Sequence, residues 1–86
     1  MDSDESAAVE PEAAARASTL RIARAWQAVG HVHQAVDGYS RLMARYPDSA
    51  EAAAAGRAIL ALAAAYERAG RFHLALDLYA RLERRA

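Results

Sequence analysis

The sequence predicts an all-α protein: two tandem antiparallel helix hairpins, four helices in all, forming a fragment of an α-solenoid. Three observations predict it. The chain matches itself at a shift of 40 positions. Each copy holds two runs of apolar residues spaced by threes and fours, the period of an amphipathic helix. A glycine separates the two runs at the same place in both copies, Gly30 and Gly70.

The self-match is carried by residue types that chance does not align in an alanine-rich chain. Gly30 falls on Gly70, His33 on His73, Ala35 on Ala75, Asp37 on Asp77, Tyr39 on Tyr79, Arg41 on Arg81 and Leu42 on Leu82. Upstream, Leu20, Ala23 and Ala25 meet Leu60, Ala63 and Ala65. Conservative pairs fill the gaps: Ile22 with Leu62, Trp26 with Tyr66, Val32 with Phe72, Val36 with Leu76.

The elements follow in order. Pro11 suits the first turn of a helix, and Leu20, Ile22, Ala23 and Trp26 form its apolar face. Gly30 stops it, because glycine relieves the left-handed conformation that closes a helix. Val32, Ala35, Val36, Tyr39, Leu42 and Met43 make the face of a second helix, ended at Tyr46 by Pro47. Asp48 is expected to cap the third helix, with Glu51 three residues on completing a capping box. Ile59, Leu62, Ala63 and Tyr66 form the third face, Gly70 ends it, and Phe72, Ala75, Leu76, Tyr79 and Leu82 form the fourth. The expected helices are 11–28, 32–46, 48–69 and 72–85. Repeat one is about 11–46 and repeat two about 51–86, in a domain spanning 10–86. Trp26 and Tyr66 are expected to be buried equivalents where the hairpins meet.

Composition agrees. Alanine fills more than a quarter of the chain, and Leu, Arg and Glu, all strong helix formers, supply much of the rest. Cysteine is absent, so no disulfide or thiolate chemistry is available. The net charge is zero but unevenly placed. Asp2, Asp4, Glu5, Glu10 and Glu12 precede the first base, Arg16, so residues 1–9 are expected to be an unstructured acidic tail on a mildly basic body. The N-terminal stretch lacks the basic start and apolar core of a secretory signal, and no apolar run reaches the ~20 residues of a membrane span. A cytoplasmic protein without a membrane partner is expected.

An aromatic late in the first helix, a glycine at the turn, alanine and tyrosine in the second helix, and a closing proline together resemble the tetratricopeptide repeat. The residues that carry this are Ala23, Trp26, Gly30, Val32, Ala35, Tyr39 and Pro47, then Ala63, Tyr66, Gly70, Phe72, Ala75 and Tyr79. The period of 40 is longer than the family's usual one. The stretch from Arg45 through Tyr46, Pro47, Asp48 and Ser49 to Ala52 is similar to a subgroup found in bacterial envelope proteins. The resemblance implies a non-catalytic scaffold or adaptor whose first helices line a groove for a segment of a partner protein. Mapped onto this chain, that groove takes in Leu20, Arg24, Gln27, Arg57, Leu60, Ala64 and Glu67.

The chemistry-bearing residues do not assemble into a reactive site. His31 and His33 are about 200° apart on a helix and cannot clamp one ion, and His33 and His73 fall on different hairpins roughly 10 Å apart. No metal, cofactor or catalytic residue is expected: there is no Ser-His-Asp order, phosphate loop or paired carboxylate. Arg81, Arg84 and Arg85 suit a helix C-terminus, while Arg16, Arg21, Arg24 and Arg57 are candidates for contact with an acidic partner. Nucleic acid binding is not expected, since the basic excess is small and the aromatics fall at core spacing.

The alternative reading is a self-assembly module. No capping helix follows the last repeat within the sequence, and Leu74, Leu78 and Leu82 lie four apart on one face. Leu76, Tyr79 and Leu82 belong to the face that packs within the repeat, so the Leu74 and Leu78 side is expected to be surplus to it, and the stripe to drive a homodimer.

Overall fold

The computed structural model describes residues 11–84, so the acidic stretch 1–9 lies outside the described residues. Four helices follow one another: α1 Pro11–Ala28, α2 Val32–Arg45, α3 Ala50–Arg68 and α4 Phe72–Arg84. Helices α1 and α2 pack as one hairpin, α3 and α4 as the next, and α2 joins the two by packing on α3. The fold is that of tandem tetratricopeptide-like hairpins, with no strand among the described residues.

Both hairpin turns use the same device. Gly30 has φ +88° and Gly70 φ +78°, the left-handed region that glycine enters at little cost. The His31 amide donates to the Trp26 carbonyl at 2.9 Å and the Gly30 amide to Gln27 at 3.0 Å. Arg71 and Gly70 repeat this on Tyr66 and Glu67 at 2.8 and 3.0 Å. These are the paired bonds of a Schellman closure, which satisfy carbonyls that the ended helix leaves open.

The link between hairpins differs from expectation at its cap. Ser49, not Asp48, is the N-cap of α3: its Oγ accepts from the Ala52 amide at 3.0 Å. The same hydroxyl donates to the Tyr46 carbonyl at 2.8 Å, so one serine ties the end of α2 to the start of α3. With the cap shifted by one residue, Glu51 is no longer at the capping-box position. It reaches across to α1 instead, where it accepts from Arg16 Nε at 3.1 Å.

The core runs continuously from α1 to α4. Tyr39, Leu42 and Ile59 are its largest fully buried side chains, and Ala23, Ala35, Ala52, Ala55, Ala63 and Ala75 sit where helices cross closely. Gly38 makes one such crossing possible, since a Cβ there would lie 3.0 Å from the Ala23 Cβ.

Four residues placed in the core by periodicity lie outside it. Ile22 is 55% and Trp26 40% exposed, and Phe72 and Leu76 are 61% and 64% exposed. Their repeat equivalents Leu62, Tyr66, Val32 and Val36 are packed into or against the core. The cause is position in the stack. Tyr66 and the α2 valines Val32 and Val36 line a common crevice between the hairpins. Ile22 and Trp26 lie on the outer flank of the first hairpin, and Phe72 and Leu76 on that of the second. The side expected to be surplus also changes: Leu74 is 39% exposed, but Leu78 is only 5% exposed.

Candidate functional site

The face shared by α1 and α3 is built from equivalent positions. Leu20 and Leu60, Arg24 and Ala64, Gln27 and Glu67 are related by the 40-residue repeat. Steps of three and four put each set on one side of its helix. Arg24, Arg57, Leu60 and Glu67 are exposed, whereas Leu20, Gln27 and Ala64 are half-buried. Leu60 is half exposed, an apolar spot one helical turn beyond Arg57.

Two of these residues are held from behind. Tyr39 passes through the first hairpin from α2, and its hydroxyl donates to Gln27 Oε1. Tyr79 does the same from α4 to Glu67 Oε1 at 2.8 Å. A neutral amide and a carboxylate therefore hold equivalent places on the face, each with one oxygen committed to a tyrosine. Burial raises the Tyr39 phenol above its ordinary value of 10.0, partly offset by the Arg24 charge. The Tyr79 phenol is raised chiefly by its bond to the Glu67 carboxylate, which would repel a phenolate. This pairing was not anticipated from sequence. Its signal was present: both pairs are 12 residues apart and in repeat register.

The arginines divide. Arg16 is drawn to the seam between hairpins, where it bonds Glu51 and lies 5.4 Å over the Tyr46 ring. Arg45 lies 5.7 Å over the same ring. Glu51 is held ionised, its carboxyl below the ordinary 4.5 because its own backbone amide and then Arg16 bond it. Arg21 bonds Ser18 at 3.4 Å. Arg24 and Arg57 remain exposed on the α1–α3 face. On α4, Arg81 bonds Ser40 Oγ at 3.4 Å and lies 3.6 Å from Asp77.

Two of the histidines have separate partners. His31 meets Trp26 edge-on, ring centres 5.3 Å apart, and His33 Nε2 is 4.0 Å from Asp37 on its own helix. Among the described residues no three His, Cys, Asp or Glu side chains gather as metal ligands. No helix among them is long and apolar enough to cross a membrane. Of the leucines expected to drive self-association, Leu74 is 39% exposed, while Leu78 and Leu82 face inward.

A family model described as a tetratricopeptide repeat matches residues 17–49, which is α1 from Ala17, the first turn, α2 and the link to α3. No curated protein and no solved structure matches the chain.

Proposed function

From the premise that residues 17–49 are a tetratricopeptide repeat, we propose that this chain is a non-catalytic adaptor that binds a segment of a partner protein on the α1–α3 face. Tetratricopeptide repeats mediate protein–protein interaction. The observation that carries the reading is the pair of tyrosine hydroxyls behind Gln27 and Glu67. Each tether fixes a polar side chain on an otherwise open face, so less conformational entropy is lost when a ligand binds it. The exposed neighbours define the ligand chemistry. Leu60 offers an apolar contact, and Arg24 and Arg57 favour a segment with carboxylates beside one large apolar residue. A cytoplasmic setting belongs to the same proposal.

The reading is tested by selecting peptides on the immobilised wild-type chain and measuring them on two variants. Selected peptides should be acidic with an apolar anchor and should bind Leu60→Asp and Arg24→Glu at least about tenfold more weakly, with helicity kept. Peptides indifferent to both substitutions would place ligand binding elsewhere.

A further inference from the structure

The seam between the hairpins shows what each outer flank of the molecule fits. In that seam, Val32 and Val36 of α2 share a crevice with Tyr66, Leu74 and Leu78 of the second hairpin. His33, Asp77 and Arg81 form its polar rim. Every one of these positions recurs in repeat register on a flank that meets nothing within the described residues. On one flank, Trp26, Gln34 and Gly38 replace Tyr66, Leu74 and Leu78, joined by Ile22 in a cleft of about 240 Å³, with Asp37 and Arg41 at its edge. On the other, Phe72 and Leu76 replace Val32 and Val36 and project into solvent, and His73 replaces His33.

We propose that a second copy of this chain docks head to tail, with Phe72 and Leu76 of one copy seated in the Ile22–Trp26–Gly38 cleft of the next. The occupant follows from continuity with the internal seam. Three residues of the rim recur, His73, Asp37 and Arg41 for His33, Asp77 and Arg81, while Ser40, which accepts from Arg81 across the seam, becomes Ala80. The apolar contents change in a compensating sense. The floor shrinks from Leu74 and Leu78 to Gln34 and Gly38, while the inserted side grows from Val32 and Val36 to Phe72 and Leu76. Larger knobs thus meet a hollowed site, which keeps the joint close to the packing density of the seam. Because the two surfaces differ, the contact is heterologous and adds copies in a row instead of closing a two-fold dimer. It uses the flanks, not the α1–α3 face, so it stands or falls apart from the adaptor reading.

Sedimentation velocity on the full 86-residue chain tests it. The wild type should grow with concentration through dimer to larger species in the high micromolar range. Phe72→Ser with Leu76→Asp removes the tail surface, and Ile22→Asp removes the cleft. These positions are exposed in one copy, and circular dichroism checks that both variants fold. Each variant alone should be monomeric, with association weakened at least about tenfold. An equimolar mixture of the two should form a dimer and nothing larger, since one intact cleft and one intact tail remain. Leu60→Asp should assemble as the wild type does. A wild type monomeric throughout overturns the proposal, as does a variant that still self-associates or a mixture that does not dimerise. A monomer that assembles only once residues 1–10 are deleted assigns the cleft to that acidic segment and overturns it equally.

Discussion

The Tyr79 hydroxyl donates to Glu67 Oε1 at 2.8 Å, and the Tyr39 hydroxyl makes the equivalent bond to Gln27 in the first hairpin. Both phenols are raised above 10.0, for different first reasons: the Glu67 bond for Tyr79 and burial for Tyr39. A raised phenol means that the fold favours the protonated form. The stabilisation is therefore complete below pH 10.0 and is lost as pH rises through the folded values. Ultraviolet titration should show two tyrosines ionising later than the rest. Glu67→Gln should bring Tyr79 back toward its ordinary value and leave Tyr39 unmoved. Tyr39→Phe should cost about 1 kcal/mol, the usual net worth of one such hydrogen bond.

Glu51 predicts the opposite dependence at acid pH. Its carboxyl is held below 4.5, so its stabilising effect is present above that value and fades as pH falls through the folded one. The wild-type melting temperature should decline more steeply below pH 4.5 than that of Glu51→Gln. Arg16→Gln should remove the Arg16 share of this difference and also the cation over Tyr46. Parallel acid profiles for wild type and Glu51→Gln would refute the assignment.

Two glycines inside helices should respond with opposite signs to alanine. At Gly56 in α3 the nearest atom to a new Cβ is Met43 Sδ, 4.0 Å away, an ordinary contact. Gly56→Ala should stabilise by about 1 kcal/mol, the helix-propensity difference. At Gly38 the new Cβ meets the Ala23 Cβ at 3.0 Å, and a methyl fixed to a helix backbone cannot rotate away. Overpacking of about 1–3 kcal/mol should outweigh the propensity gain, so Gly38→Ala should melt several degrees lower. Thermal denaturation of the two single variants side by side gives the comparison directly.

Element type and order were legible because glycines, Pro47 and a three-four apolar spacing state them locally. The end of α1 and the starts of α2 and α4 match the expected ones, and α2 ends one residue earlier than expected. The cap of α3 was misplaced because Asp48 and Ser49 are adjacent residues of equal capping ability, and only the chain's path decides which side chain reaches the Ala52 amide. Burial was legible within the stack and not at its flanks. A repeat writes the same pattern into both hairpins, so Ile22 resembles Leu62 and Leu76 resembles Val36 whether or not a neighbour is present. Periodicity reports which face a residue is on; contact with another hairpin decides whether that face is covered. On the α1–α3 face, the repeat register marked Gln27 and Glu67, while their tyrosine tethers needed the hairpin geometry.

Trp26 and Tyr39 turn this distinction into a measurement. From sequence, truncating Trp26 should remove a core aromatic, at about 3–5 kcal/mol. In the structure Trp26 is 40% exposed on an outer flank, touching His31 edge-on, while Tyr39 is fully buried between the hairpin's helices. Trp26→Ala should therefore lose only about 1–2 kcal/mol, from the part of the ring that is covered. Tyr39→Ala should lose the full core amount and, in so small a domain, abolish cooperative unfolding or come close to it. Urea denaturation at a concentration where the protein is monomeric separates the two, because head-to-tail contact would otherwise add to the apparent role of Trp26. Equal losses at the two positions would mean that Trp26 is covered in solution and would contradict the exposed flank.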